Sequence, residues 1–115
     1  LDAVYFAFDS PRIEADAQQK LQEVAECIKS QNRLVYLEAH ADPRGTDEYN
    51  NVLSQERAKA VKQALEDLGV PAERISHQGH GNRFSNAAKG DEEAYQQERR
   101  VDITIEHQNP AYSGI

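Results

Sequence analysis

Residues 40–50 read His40-Ala41-Asp42-Pro43-Arg44-Gly45-Thr46-Asp47-Glu48-Tyr49-Asn50, and Leu53-Ser54-Gln55-Glu56-Arg57-Ala58 follows close behind. The segment entering this stretch alternates, with Val35, Leu37, Ala39 and Ala41 on one face and Tyr36, Glu38, His40 and Asp42 on the other. That period predicts a strand over about 34–41 with one buried face. Pro43-Arg44-Gly45 is turn chemistry, and Thr46 is suited to cap a helix. Beyond it, Leu53, Val61, Ala64, Leu65 and Leu68 recur at helical spacing until Gly69 and Pro71, which predicts a helix over about 47–68. An acid therefore ends a strand, and an arginine stands two turns into the next helix.

Working outward, Val4 to Phe8 is an apolar and aromatic run closed by Asp9-Ser10-Pro11, the pattern of a strand entering a turn. Ala17, Leu21, Val24, Ala25 and Ile28 mark an amphipathic helix over about 14–30, closed by Ser30-Gln31-Asn32. Arg74 to Gln78 is a weakly patterned strand, 79–90 a loop, and 92–97 one more turn of helix. Val101, Ile103 and Ile105 alternate with polar residues as a last strand, and a frayed tail is expected after His107, giving a domain over 1–108 and a tail over 109–115. The order is β-α-β-α-β-β with a short helix before the last strand. Four strands and two long helices make an α/β (α+β) two-layer sandwich: a mixed sheet with both helices on one face. Its core is expected to hold Val35, Leu37, Leu53, Val61, Leu65, Ile103 and Ile105.

With 115 residues the chain is one domain, long enough to bury about two-thirds of its unfolded surface without a disulfide or metal. Thirteen Lys and Arg against twenty Asp and Glu give a net charge of −7, spread rather than blocked. That balance argues against binding nucleic acid or anionic lipid by counterion release. No run approaches the ~18 apolar residues of a membrane span, and no basic-then-apolar leader opens the chain. A start directly on Val4-Tyr5-Phe6-Ala7-Phe8 is expected of an excised or mature fragment. The one cysteine, Cys27, cannot form an intrachain disulfide and is expected as a half-buried structural thiol. No Ser, His and Asp set or Cys and His set has the spacing of an activated nucleophile, so catalysis is not expected.

Helical spacing places Asn50, Leu53 or Ser54, and Arg57 along one line. Side chains on a helix lean toward its N-terminus, which aims the Arg57 guanidinium back at the turn holding Asp42. Free amides near Thr46 to Tyr49 favour a carboxylate, Arg57 can grip it through two parallel hydrogen bonds, and Asp42 can accept an ammonium. The polarity fits a free amino acid end. Because the core is not expected to need this side chain, Arg57→Glu is expected to abolish binding and leave the fold intact.

The pattern alone leaves other readings open. Asp42 and Arg57 can simply pair with each other, or Arg57 can be a solvated helix charge paired with Asn50 or Glu56. Glu38, His40 and Asp42, with His80, form a metal-ligand set only if loops close over the ion, since alternate strand residues lie about 7 Å apart; no metal or other cofactor is expected. His40 is expected as a hydrogen-bonded residue of the sheet face, with His77, His80 and His107 exposed. Arg99 and Arg100 point to opposite faces of a strand and are expected to pair with a carboxylate such as Asp91 or Glu92.

In Tyr5-Phe6-Ala7-Phe8-Asp9-Ser10, Glu38 to Asn50, Leu53 to Ala58 and Arg99-Arg100-Val101, the chain resembles the outer-membrane protein A-like (OmpA-like) C-terminal domain. This is the periplasmic peptidoglycan-binding module also found in peptidoglycan-associated lipoproteins and flagellar stator proteins. The resemblance spans about residues 4–106. It implies non-covalent binding of diaminopimelate in the peptide stem of peptidoglycan, with Asp42 and Arg57 holding the amino and carboxylate groups at that residue's far end. It further implies that Phe8, Asp9, Ser10, Arg44, Asn50 and Leu53 complete the pocket, and that the domain lies in the periplasm, joined to the outer membrane through a segment upstream of Leu1. Peptidoglycan is the implied partner, without nucleic acid or membrane insertion. A docking domain for periplasmic envelope proteins is the alternative, and a metal-dependent peptidoglycan hydrolase a third reading. Ser85 stands where the family usually has a loop proline, and Glu98 where asparagine precedes the arginine pair.

Overall fold

The computed structural model describes residues 2–106, so the tail expected after His107, the exposure of His107 and a boundary at 108 lie outside the described residues. The strands are β1 (Asp2–Tyr5), β2 (Val35–Ala39), β3 (Ile75–Gly79) and β4 (Arg100–Ile105), and the helices α1 (Gln18–Gln31), α2 (Asp47–Asp67) and α3 (Glu92–Glu98). They form one mixed sheet in the order β1-β4-β2-β3, antiparallel except for the parallel pair β2 and β3.

Register follows from the alternating apolar residues. Val4 lies opposite Val101, which faces Ala39 across the next ladder, while Leu37 faces Ile103 and Val35 faces Ile75 and Ile105. A slip of one residue would turn this row to solvent. The same face receives Leu21, Val24, Ala25 and Ile28 of α1 and Ala58, Val61 and Leu65 of α2, all in one core. Each fully buried Leu, Ile or Val contributes roughly 1.5–3 kcal/mol through apolar area removed from water. On the other face Tyr36, Glu38 and Thr104 are exposed. The two-layer arrangement is therefore the one read from periodicity, with Cys27 half-buried beside the apolar stripe.

Helix boundaries have local causes. Asn32 closes α1 in the left-handed region at φ 54°, where an asparagine is tolerated, and its N–H bonds the carbonyl of Ile28. Thr46 caps α2 by accepting from the Tyr49 N–H at 3.1 Å, and Asp47 and Glu48 complement the positive end of the helix dipole. The buried line of α2 changes character along its length: Asn50, Ser54 and Arg57 come first, then Ala58, Val61 and Leu65. The second half belongs to the core, whereas the first half builds a polar site. A close approach fixes the helix over β3, where a Cβ on Gly79 would lie 2.6 Å from the Gln55 backbone nitrogen and 2.7 Å from Ser54 Oγ.

Three expectations need correction. The first strand runs Asp2–Tyr5 rather than 4–8, because beyond Phe6 the carbonyls of Ala7 and Ser10 pair with a guanidinium instead of a neighbouring strand. The first helix begins with a 3₁₀ turn at Ala15–Ala17 and becomes α-helical only from Gln18. Ile105 is half-buried, since its pair with Val35 is the last of the ladder, and Ala64 and Leu68 are also half-buried at the flank of α2.

Candidate functional site

A cavity of about 500 Å³ opens where the turn after β1, the turn after β2 and the first half of α2 meet. Of the residues expected there, Phe8, Asp9, Asp42, Arg44, Asn50, Leu53 and Arg57 line it; Ala41, Gly45, Thr46 and Tyr49 complete the wall. Ser10 does not reach it. Its carbonyl accepts from Arg57 Nε at 3.0 Å and its hydroxyl accepts from the Arg12 N–H, so it supports the wall from behind. Asn50 Nδ2 donates to the Arg44 carbonyl at 3.0 Å and fixes the turn over the helix start. The Tyr49 hydroxyl donates to the Asp9 carboxylate and ties the first turn to α2.

Arg57 is fully buried. Its Nε donates to Ser10 O at 3.0 Å, Nη1 to His40 O at 3.0 Å and Nη2 to Ala7 O at 3.1 Å. A guanidinium carries five N–H bonds, so these three leave one on each terminal nitrogen for the cavity that Arg57 lines. Burial pushes its pKa down to about 10, with Arg99 acting the same way and Asp42 and Asp9 opposing, yet it remains a cation at neutral pH. It is neither paired with Asp42 among the described residues nor a solvated helix charge. It joins three otherwise separate carbonyls, so against the expectation that Arg57→Glu leaves the fold intact, these bonds favour a loss of stability in that variant.

Asp42 is buried and held by other arginines. Its Oδ1 accepts from the Arg44 N–H at 3.0 Å and from Arg44 Nε at 3.2 Å, and its Oδ2 accepts from Arg44 Nη2 at 2.8 Å and Arg99 Nη1 at 3.4 Å. Burial alone would raise its pKa, but the bonds from Arg44, and then Arg99, outweigh burial and hold it below the ordinary carboxylate value. Arg44 is itself stacked on Phe8, 4.0 Å from the ring centroid, and on Tyr95 at 4.7 Å. Arg44 and Arg57 thus line the cavity with Asp42 and Asp9, and Arg99 adds a third cation on Asp42 from outside the lining.

Arg99, expected in a strand beside Asp91 or Glu92, instead caps the end of α3, where its Nε donates to Phe6 O at 2.9 Å and its Nη1 reaches Asp42. Its adjacency to Arg100 in sequence concealed this, because the two belong to different elements; Arg100 pairs with Asp102 at 2.9 Å. Tyr95 beside Arg44 was missed, with only the short helix that carries it legible, and Glu92, expected beside Arg99 or Arg100, pairs with Arg44 instead. His40 is buried, with Nε2 3.5 Å from Asp102 Oδ2 and its ring against those of His80 and Phe84. That packing leaves His80 half-buried rather than exposed, while His77 is exposed as expected. Glu38 is exposed, His40 faces Asp102 and Asp42 faces Arg44, so the three do not converge on one point.

Among the described residues no helix is long and apolar enough to cross a membrane. The sequence profile of the OmpA family matches residues 5–100. A peptidoglycan-associated lipoprotein of Agrobacterium fabrum is 40% identical over 105 residues, which cover 90% of this chain and 59% of that protein. The chain thus spans about three-fifths of the length of that relative. The crystal structure of the peptidoglycan-associated lipoprotein from Burkholderia pseudomallei superposes with a TM-score of 0.87 at 36% identity, covering 92% of this chain and 91% of that one. A cell wall anchor from Pseudomonas aeruginosa superposes with a TM-score of 0.76 at 28% identity, over 90% of this chain and 76% of that one. The match along most of the sequence and the shared architecture make this chain a member of the OmpA family.

Proposed function

We propose that the chain binds peptidoglycan non-covalently through the diaminopimelate of its peptide stem and so tethers an envelope component to the cell wall. The observation that carries this reading is one cavity lined both by Arg57, whose three backbone bonds leave two of its five N–H bonds uncommitted, and by the buried carboxylate of Asp42. A carboxylate fits the arginine and an ammonium fits the acid, and the far end of diaminopimelate carries both on one carbon. Support also comes from relatives whose names associate them with peptidoglycan or the cell wall. In this reading the domain works in the periplasm, joined to the outer membrane by a segment outside this chain, and it holds its ligand without turning it over.

Two charge-assisted contacts at roughly 1.5–3 kcal/mol each give modest affinity for one stem. Retention of a membrane-anchored protein would then come from many copies facing one polymer. Cosedimentation with purified sacculi should retain the protein without releasing soluble fragments. Titration of soluble muropeptides should show the diaminopimelate stem bound more tightly than the lysine stem, which lacks the distal carboxylate, and Asp42→Asn weakening the former. Equal binding of the two stems would refute the assignment, and release of soluble muropeptides would point to a hydrolase.

A further inference from the structure

We infer that Arg44 is the cavity's internal substitute for the ligand's ammonium: its guanidinium occupies Asp42 until a ligand cation displaces it, and Glu92 receives the displaced arginine. The inference rests on the proposed stem-peptide reading and adds to it the residue that sets the selectivity for a free amine.

Saturation of Asp42 is the first observation. An ionised carboxylate has about four acceptor positions. Asp42 has its backbone and Nε bonds from Arg44 on one oxygen and those from Arg44 Nη2 and Arg99 Nη1 on the other. An ammonium can enter only if one of these donors leaves. Arg99 is the fixed one, since its side chain is only 12% exposed and its Nε is committed to Phe6 O at 2.9 Å. The Arg44 side chain is 32% exposed and lies at the cavity wall.

An alternative berth for Arg44 is the second. Its Nη1 already stands 3.3 Å from Glu92 Oε2 and 3.4 Å from Oε1, on a side chain that is 69% exposed. Moving from Asp42 to Glu92 keeps the cation paired, and Tyr95, in the same short helix as Glu92, offers a ring face beside it. The exchange trades one arginine-carboxylate pair for another while the buried acid gains the ligand's ammonium. A ligand bearing only the carboxylate would meet Arg57 and leave Arg44 where it is.

The test is calorimetric titration of a muropeptide whose diaminopimelate has a free distal amine, and of the same muropeptide acetylated on that amine. Removing a competitor of ordinary ion-pair strength, Arg44→Gln should raise the preference for the free-amine over the acetylated form by about fivefold. Glu92→Gln should weaken the free-amine form in the wild-type background and have no effect in the Arg44→Gln background, the non-additivity expected of one shared step. Equal weakening of both forms by Arg44→Gln would make Arg44 a direct ligand contact and overturn the exchange. So would an unchanged preference for the free amine in a protein that still binds, leaving the stem-peptide reading intact. A wild-type protein that binds neither form would remove the stem-peptide reading itself.

Discussion

Replacing Arg57 with leucine should cost the domain about 3 kcal/mol of stability, a magnitude that follows from which carbonyls lose their donor. His40 is buried, so its carbonyl would be left without a partner at a cost of about 1–3 kcal/mol. Ala7 is exposed and Ser10 half-exposed, so water can reach their carbonyls and each loss falls to about 0.5–1.5 kcal/mol. Against these losses, leucine removes a buried cation whose desolvation already depresses its pKa, and that relief offsets part of the total. For a domain of this size a 3 kcal/mol loss lowers Tm by about 12 °C. Urea unfolding followed by far-UV circular dichroism would measure it, with Arg57→Lys alongside. Lysine keeps the charge but cannot span three carbonyls from one ammonium, and should fall between the two. If Arg57→Leu stays within about 0.5 kcal/mol of wild type, the range of an ordinary surface change, the guanidinium does not organise the turn after β1.

Other outcomes follow from the same contacts. Asp42 has a folded-state pKa below its ordinary 3.8, so its contribution is complete above that value and is lost as pH falls through the folded pKa; the stability gap between wild type and Asp42→Asn, read from urea unfolding, should be largest near neutrality and close in acid. Gly79→Ala would place a Cβ 2.6 Å from the Gln55 nitrogen, so it should cost about 1–3 kcal/mol by overpacking, and a wild-type Tm would show that α2 and β3 are not clamped there. Glu98→Ala should release the segment around Ser85 to Ala87, costing about 1–3 kcal/mol and speeding amide exchange at Asn86 and Ala87, whose N–H groups it accepts at 2.9 and 3.2 Å.

The layers, the element order and most of the core were legible because they depend on period alone. Val35, Leu37, Val61, Leu65 and Ile103 alternate or recur at spacings that permit one buried face, and all are buried. Ile105 escaped because period says which way a side chain points and not how far the neighbouring ladder extends. Most of the site was legible too, since a turn and a capped helix place Asp42, Arg44, Asn50, Leu53 and Arg57 close in sequence. Less accessible were contacts between distant segments: Arg99 on Asp42, Tyr95 beneath Arg44, and the Arg57 bonds to Ala7 and Ser10. No local pattern encodes a side chain that crosses fifty positions to a backbone carbonyl. Ser85 and Glu98 illustrate the same point, because Ser85 Oγ donates to Glu98 Oε1 at 2.8 Å across thirteen positions.

That distinction bears on how the site is made. Arg57 binds the carbonyls of two chain segments and also lines the cavity they enclose, so the group that closes the fold at this point also forms part of the candidate site. A lysine or an apolar residue could serve one of these roles but not both, since only the planar fork supplies three donors to the protein and two more in the same plane. The first strand is short for the same reason. Had Ala7 and Phe8 continued the ladder, the Ala7 carbonyl would have gone to a neighbouring strand, and Arg57 would have had to find another acceptor. The apolar run that predicts a longer strand is therefore diverted by a cation that stands eleven positions beyond Thr46, the cap of α2.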